Sequence, residues 1–217
     1  QPFFTQFTQL TDLVLHQSAT DLDIWPVLSE HCTQLTRLHI MGYPETVVWS
    51  QLMLRNLVEL GLEVPCELLP ELLTFFQNHP QIRRLDISIG EFEDEEALLS
   101  SWSVLEPLKQ LEKLVWNVNT YVDPAHYYWR GFAQLACLPS LRELFLYGLL
   151  VGEMEWEFHS TSLEVLEVED DCETFKEAVG AMCRRNQTRN KSLCYYAVSR
   201  PRHWIPDPDS LFHMVGY

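Results

Sequence analysis

The sequence contains no long hydrophobic run, no flexible linker and no low-complexity segment. No stretch approaches the roughly 18 uninterrupted apolar residues of a membrane-spanning helix, and no secretory signal pattern is present. No Gly- or Ser-rich run divides the 217 residues, a length that is ample for one extended domain. We therefore expect a single domain that has no contact with a membrane.

The sequence also lacks the motifs that mark common catalytic and metal sites. It contains no Gly-rich phosphate loop, no GxSxG, no HExxH and no CxxC pair, and its eight histidines are scattered. A lone histidine such as His79, which comes shortly before an apolar stretch, is expected to be a surface or capping residue. We expect no enzymatic activity, no cofactor and no metal ion.

Positive charge is scarce. The chain has 15 Lys and Arg against 31 Asp and Glu, which gives a formal net charge of −16. The imbalance is uneven, because residues 176–217 carry seven basic and three acidic side chains. An acidic body disfavours nucleic acid and favours a basic protein surface as partner, with plain solvation of acidic loops as the alternative. The basic stretch 183–192 is interpreted as the end of a helix and its loop.

What the sequence does contain is one short apolar pattern, LxxLxL, repeated along the chain. Its three apolar residues, here called anchors, stand at offsets of 0, 3 and 5, and successive copies begin 22 to 30 residues apart. Such a period is typical of leucine-rich repeats. The eight copies are Leu10/Leu13/Leu15, Leu35/Leu38/Ile40, Leu57/Leu60/Leu62, Ile82/Leu85/Ile87, Leu111/Leu114/Trp116, Leu141/Leu144/Leu146, Leu163/Leu166/Val168 and the weaker Leu193/Tyr196/Val198.

The spacing of the anchors has a physical interpretation. The second and third anchors alternate as in a strand with one buried face, and the first is expected on the bend that leads into the strand. One copy cannot bury such a face alone, so neighbouring copies must stack. The pattern predicts an α/β leucine-rich repeat solenoid of about eight repeats, with a parallel sheet on the concave side and irregular helices and loops on the convex side.

The segments between the copies differ in length and pattern. Helical spacing or composition is found in residues 23–34, 66–81, 93–110 and 127–140. Pro107 is expected to end the third of these helices. The shorter segments 44–56 and 153–162 leave room for one turn of helix at most.

Three strand approaches carry a family resemblance. Residues 31–40, 78–87 and 136–146 resemble the C-P-x-L-x-x-L-x-L pattern of cysteine-containing leucine-rich repeats, which are typical of F-box and ribonuclease-inhibitor-like proteins. The resemblance covers roughly residues 3–200. It departs three residues beyond the last anchor, where the family has Asn or Cys and only Asn119 fits. Such irregular repeats are most similar to the substrate-binding half of fungal F-box proteins.

The resemblance implies a protein-binding module. The concave face would hold a protein partner, as in the substrate-recognition part of an F-box-type ubiquitin-ligase adaptor. Such an adaptor would bind a Skp1-type protein through an N-terminal region that this sequence does not contain. The alternatives are an acidic inhibitor or chaperone-like protein that binds a basic partner, and a structural subunit of a larger assembly.

Residues between the anchors are expected to face the concave side. The position just before the second anchor alternates in charge from copy to copy, so lateral ion pairs are predicted there. The positions further along turn aromatic and acidic, and Phe145 and Tyr147 are expected to be exposed anchors for a partner. Trp116 fills an anchor position and is expected in the core. The predicted partner-binding residues are His39, Met41, Glu63, Asp86, Asn117, Phe145, Tyr147, Glu167 and Glu169.

The six cysteines are expected to be reduced. Cys32 and Cys137 precede strands at a position where a small apolar side chain packs, whereas Cys183 and Cys194 flank the basic stretch and could pair. The glycosylation triplets at Asn186 and Asn190 carry little weight without a secretory signal. The expected compartment is the cytoplasm or the nucleus.

The predicted domain boundaries are residues 1–200 for the repeats and 201–217 for an irregular C-terminal cap, with a free binding tail as the alternative. Residues 1–7 are too short to cover the open end of a solenoid, which normally needs a cap. We therefore expect either a preceding segment or a partner over that end.

Overall fold

The computed structural model of the chain describes residues 8–16, 24–42, 49, 52–90, 101–118, 138–147, 162–169 and 194–198. These ranges contain two α-helices, α1 (Trp25–His31) and α2 (Leu69–Asn78), and two 3-10 helices, Cys66–Leu68 and Trp102–Leu105. They also contain eight strands: β1 (Asp12–His16), β2 (Arg37–Met41), β3 (Glu59–Val64), β4 (Arg84–Ile89), β5 (Lys113–Val118), β6 (Glu143–Tyr147), β7 (Val165–Glu169) and β8 (Cys194–Val198).

The eight described strands form one sheet in which every pair is parallel. Their order in the sheet is their order in the sequence, from β1 to β8. Each parallel connection needs a crossover of about a dozen residues or more, and a period of 22 to 30 residues is long enough for a strand and its crossover. The predicted parallel sheet is confirmed, and with its few helices it is consistent with an α/β fold.

The anchors form two rows across this sheet. From β2 to β6, every second and third anchor is at most 4% exposed. Because side chains alternate along a strand, both rows point to the same face. The row of second anchors is Leu13, Leu38, Leu60, Leu85, Leu114, Leu144 and Leu166. The row of third anchors is Leu15, Ile40, Leu62, Ile87, Trp116, Leu146 and Val168.

The predicted alignment of the eighth copy is wrong by one residue. The pattern put Tyr196 in the row of second anchors, whereas the sheet places Tyr195 opposite Leu166 and Tyr196 opposite Glu167. A slip of one residue exchanges the two faces of a strand. Two consecutive tyrosines offer the same residue type to both faces, so the sequence pattern alone could not choose the register.

The first anchors of the second to the sixth copy lie on tight turns that lead into their strands. In each of these five turns the backbone N–H of the anchor donates to the carbonyl three residues earlier, and the residue that accepts is itself buried. The turn therefore adds a fourth inward side chain to these copies, which explains the gap of three residues at the start of the pattern. The bonds are Leu35 to Cys32 (3.0 Å), Leu57 to Leu54 (3.0 Å), Ile82 to His79 (3.2 Å), Leu111 to Leu108 (3.0 Å) and Leu141 to Leu138 (3.2 Å).

His79 occupies this fourth position before β4 and is fully buried. Its Nε2 accepts a hydrogen bond from the backbone N–H of Leu54 (2.9 Å), and its Nδ1 donates to the carbonyl of Phe75 (2.7 Å). The ring also stacks on that of Phe75, with 4.1 Å between the centroids. Burial lowers the pKa of His79, so a neutral imidazole caps the end of α2. Of the two roles expected for this histidine, surface or capping residue, the structure shows the capping role and excludes a surface position.

Polar side chains connect the segments that lead into neighbouring strands. In three places the residue just before a first anchor donates to a carbonyl in the segment that leads into the preceding strand. These bonds are Asn56 to Thr33 (2.7 Å), Gln81 to Arg55 (3.1 Å) and Ser140 to Lys109 (2.9 Å). The family pattern puts its polar ladder after the last anchor, at the position of Asn119, which lies outside the described residues. In this chain, polar side chains just before the first anchor connect the segments that lead into neighbouring strands.

The helices contribute to the same core as the anchors. In α1 the buried residues are Trp25 and Leu28, and in α2 they include Phe75 and Phe76. The helices predicted in residues 23–34 and 66–81 are confirmed. Trp116 is buried, as expected, and stacks on Trp102 with 4.4 Å between centroids. None of the described helices has the length and hydrophobicity that a membrane crossing requires.

Several predictions fall on residues that the structure does not describe. They concern most of the helix over 127–140, the basic stretch 183–192, the tail 201–217 and the domain boundary at residue 200. Of the helix over 93–110 the described part is the 3-10 helix Trp102–Leu105, which ends before Pro107. Among the cysteines, Cys32 is buried in the core as a free thiol.

We expect His79 to make the fold sensitive to mild acid. In the unfolded chain the imidazole titrates near its ordinary pKa of 6.5, whereas the folded chain keeps it neutral to lower pH. Below that pH the unfolded state binds more protons, so the free energy of unfolding falls as the pH drops from about 6.5 towards the lowered pKa of the folded state. Urea unfolding at pH 7.5 and 5.5 measures the decrease.

The His79→Gln variant, which keeps a donor and an acceptor but does not titrate, should show a smaller decrease in unfolding free energy than the parent. A matched His16→Gln variant changes an exposed histidine and should keep the parent's decrease. Equal decreases in the parent and in His79→Gln would contradict the role of His79.

Candidate functional site

The residues that alternate with the anchors form a second face of the sheet, arranged in three columns. The first column is Asp12, Arg37, Glu59, Arg84, Lys113, Glu143 and Val165. The central column is Val14, His39, Gly61, Asp86, Val115, Phe145 and Glu167. The third column follows the third anchors and contains His16, Met41, Glu63, Ser88, Asn117, Tyr147 and Glu169. All nine predicted partner-binding residues belong to the central and third columns.

The first column is held by lateral ion pairs, as predicted. Arg37 pairs with Asp12, Arg84 with Glu59 at 3.4 Å and Lys113 with Glu143 at 3.5 Å. The hydrogen bond from Arg37 lowers the pKa of the Asp12 carboxyl. Because most of these side chains are partly exposed, each pair contributes little to stability. The pairs do leave the cations of this column already engaged with carboxylates.

His39 and Gly61 fit together in the central column. The Nε2 of His39 lies 3.4 Å from Oε1 of Glu59. The other oxygen of this carboxylate, Oε2, pairs with Arg84. The imidazole covers Gly61 so closely that a Cβ on that glycine would lie 2.2 Å from Nδ1 of His39. Gly61 therefore provides the space in which His39 reaches across β3, and a side chain at position 61 would displace the ring.

Asp86 is half-buried in the central column, on the strand beyond Gly61. Burial raises the pKa of its carboxyl, and the nearby charges of His39 and Lys113 oppose that rise in part. Neither of these side chains lies within ion-pair distance of Asp86 in the described part of the chain. The carboxylate is therefore placed in a poorly solvated position without a direct cation partner.

Phe145 and Lys113 form a contact between adjacent strands. The ammonium of Lys113 lies 4.9 Å from the centroid of the Phe145 ring, within the range of a cation–π interaction. Phe145 is half-buried, so part of the ring remains available on the second face. The predicted position of Phe145 on this face agrees with the structure.

Tyr147 was predicted to be an exposed aromatic anchor, and this is wrong. It is only 6% exposed. Its hydroxyl donates a 2.6 Å hydrogen bond to Oε1 of Glu167 on the next strand, so the ring is not free to project from the sheet. Alternation along a strand gives the face of a side chain, but it does not reveal a hydrogen bond to a neighbouring strand that holds the side chain down.

The remaining predicted residues make polar contacts or are partly covered. Glu63 accepts a hydrogen bond from the N–H of Gly42 at 2.9 Å, where the chain turns with a positive φ of 86°. Asn117 donates to the hydroxyl of Ser88 at 3.1 Å. Met41 is half-buried. Glu169 lies on β7, and its side chain falls outside the described set.

Charge is distributed unequally over the second face. Its Lys and Arg residues, Arg37, Arg84 and Lys113, all lie in the first column, which also supplies carboxylates to pair with them. The central and third columns contain Asp86, Glu63, Glu167 and Glu169 but no Lys or Arg from β1 to β7. The second face therefore consists of a balanced column beside two acidic ones.

The second face presents few groups other than acceptor oxygens. The described residues include no group of three or more His, Cys, Asp and Glu that could hold a metal ion. An open depression of about 430 Å³ lies along the N-terminal edge of β1 to β5, but Arg37, Glu59, Arg84 and other lining residues are engaged with one another. What the face offers is acceptor oxygens, one partly accessible ring and Val14, which is 46% exposed.

Three features of the site were missed by sequence reasoning. They are the position of the His39 ring over Gly61, the 3.4 Å contact between His39 and Glu59, and the contact of Lys113 with Phe145. A glycine flanked by apolar anchors within a strand is a signal for close approach of a neighbouring group, and Gly61 carried that signal. Comparison with family models and with curated proteins found no match for this chain, so the site is defined by its geometry.

We expect Gly61→Ala to destabilise the fold, because the new methyl group requires the space that the His39 ring fills. The cost should be about 1 kcal/mol, as for other overpacked sites. In a His39→Ala background the same change should be neutral or stabilising, since alanine suits a strand interior better than glycine. Urea unfolding of the parent, both single variants and the double variant measures the coupling; additive effects would contradict the proposed contact.

Proposed function

We propose that this chain is a leucine-rich repeat solenoid that binds a protein partner on the second face of its sheet. The observation that carries the proposal is the in-register row of second anchors from Leu38 to Leu166. A row of this kind divides each strand into residues that the core requires and residues that are free for recognition. It also fits a fold in which each repeat is buried mainly by its neighbours.

The dimensions of the second face support a polypeptide as the ligand. Eight parallel strands spaced about 4.8 Å apart give a surface roughly 34 Å across. Small-molecule sites are concave and enclosed, whereas the second face is a broad array of partly exposed side chains. A surface of that width is large enough for the roughly 20 to 30 residues that a stable protein interface uses on each side.

The more specific part of the proposal concerns the biological role. The resemblance of residues 31–40, 78–87 and 136–146 to cysteine-containing repeats supports a substrate-recognition part of an F-box-type ubiquitin-ligase adaptor. The net charge of −16 supports a second candidate, an acidic inhibitor or chaperone-like protein that binds a basic partner. Both candidates use the second face, and they differ in what the rest of the complex contains.

A paired set of variants tests whether the second face binds the partner. Val14→Arg with Phe145→Ala alters the face, whereas Met53→Arg with Val58→Ala alters two exposed apolar residues outside the central and third columns. The first pair should weaken binding by about tenfold or more, since truncating contact aromatics commonly has that effect. The second pair should bind like the parent. Quantitative affinity purification measures recovery, with circular dichroism as the check on folding.

Recovery of the bound proteins at the level of the parent by both pairs of variants would contradict binding on the second face. Loss with both pairs would point to a different surface or to misfolding, which the circular dichroism spectrum separates.

The ligase role has its own test. The full-length protein should co-purify with a Skp1-type adaptor, and changes to the second face should not affect that association. The chain of residues 1–217 alone, which contains no F-box sequence, should not recover the adaptor. If the full-length protein fails to recover it, the ligase role is wrong, and the binding function of the second face is still open to the test above.

A further inference from the structure

Asp86 differs from the other carboxylates of the second face. Among the described side chains of that face, each of the others has a direct partner: Asp12 with Arg37, Glu59 with Arg84, Glu63 with the N–H of Gly42, Glu143 with Lys113 and Glu167 with Tyr147. Within the same described set, Asp86 has neither a hydrogen bond nor an ion pair. It is nevertheless half-buried near the middle of the sheet.

The basic side chains around Asp86 are directed elsewhere. His39, on the other side of Gly61, points its Nε2 to Glu59 at 3.4 Å. Lys113, on the next strand, lies 3.5 Å from Glu143 and over the ring of Phe145. Both act on Asp86 only through longer-range attraction, and Glu59 opposes them. The fold therefore brings positive charge near this carboxylate without completing a pair.

An arrangement of this kind is unfavourable for the isolated fold. A carboxylate removed from water is normally paired or hydrogen-bonded, and burial without a partner raises the pKa of Asp86. Groups that destabilise the folded chain in this way are concentrated at functional sites, because stability and function are selected together. Among the described residues, the carboxylate therefore has a place for a cation that none of them fills.

The neighbours of Asp86 indicate the shape of that cation. Val115 and Phe145 follow it in the central column, and both are half-buried. A Lys or Arg side chain could lay its apolar stem along these residues and place its charged head at the carboxylate. The central and third columns carry no Lys or Arg of their own from β1 to β7, so no Lys or Arg there repels such a side chain.

We propose that Asp86 receives a Lys or Arg side chain from an extended segment of the protein partner, with Val115 and Phe145 as the seat for its stem. This inference rests on the proposed function, since it assigns one contact within the second face. It predicts that the partner has a Lys or Arg where its segment crosses β4 and β5.

A peptide pair tests the contact directly. The probe is an acetylated five-residue peptide with one central Arg, and its control carries citrulline, which has nearly the same shape without the charge. Titrated into the isotopically labelled chain, the Arg peptide should shift the backbone amide signals of Gly61, Asp86 and Val115. The citrulline peptide should leave them in place. Shifts confined to the acidic run 91–96, or equal shifts with both peptides, would overturn the proposal.

Two variants that remove the same charge separate this contact from general acidity. Asp86→Asn should weaken binding of the Arg peptide by about tenfold, as expected when one member of a close charge pair is lost. Glu143→Gln removes a carboxylate that is already paired with Lys113 and should change the affinity less than about twofold. Equal effects of the two variants would mean that only net charge matters, which would contradict an assigned role for Asp86.

Stability gives an independent readout of the same proposal. Because the unpaired carboxylate is unfavourable in the folded chain, Asp86→Asn should unfold at the same or a higher urea concentration than the parent at pH 7. A lower midpoint would show that Asp86 supports the fold and would overturn the proposal. If Asp86→Asn retains the natural partner while Val14→Arg with Phe145→Ala loses it, this inference is wrong and the proposed function stands. If neither loses it, the proposed function fails as well.

Discussion

The structure depends on parallel backbone pairing that repeats from strand to strand. Two consecutive N–H groups at the start of a strand donate to one carbonyl, which belongs to the residue just before the preceding strand. Val58 and Glu59 donate to Thr36 at 2.8 and 3.0 Å, and Arg83 and Arg84 donate to Val58 at 2.8 and 3.1 Å. The same bonding is repeated before β5, β6 and β7. It fixes a single register, and a single register decides which residues are buried and which lie on the second face.

The consequences of that register differ between the two faces. On the buried face, the second and third anchors align in rows, and no anchor of these rows from β2 to β6 is more than 4% exposed. On the second face the same alignment brings opposite charges together, so Glu59 on β3 meets Arg84 on β4. It also leaves Asp86 beside Gly61 without a hydrogen bond or ion pair among the described residues. One backbone constraint thus produces a packed core, a balanced column of charge and two acidic columns beside it.

Much of the sheet could be predicted from the sequence, because the LxxLxL spacing reports alternation and the period reports stacking. Register failed only where the pattern was ambiguous, at Tyr195 and Tyr196, which offer similar side chains to both faces. Side-chain contacts across strands were less predictable. The buried Tyr147, the ring of His39 over Gly61 and the amide of Gln81 bonded to Arg55 all depend on the direction of a side chain towards a residue more than 19 positions away. Sequence periodicity specifies a face, whereas these contacts specify a direction within that face.

The central claim is the alignment of Leu60, Leu85, Leu114 and Leu144 on neighbouring parallel strands. The measurement that tests it most directly is a set of nuclear Overhauser contacts between backbone protons of these residues in the labelled chain. Contacts should connect Leu60 with Leu85, Leu85 with Leu114 and Leu114 with Leu144, with the geometry of parallel pairing. A direct contact between Leu60 and Leu114, an antiparallel pattern, or a shift of one residue between adjacent strands would contradict the account.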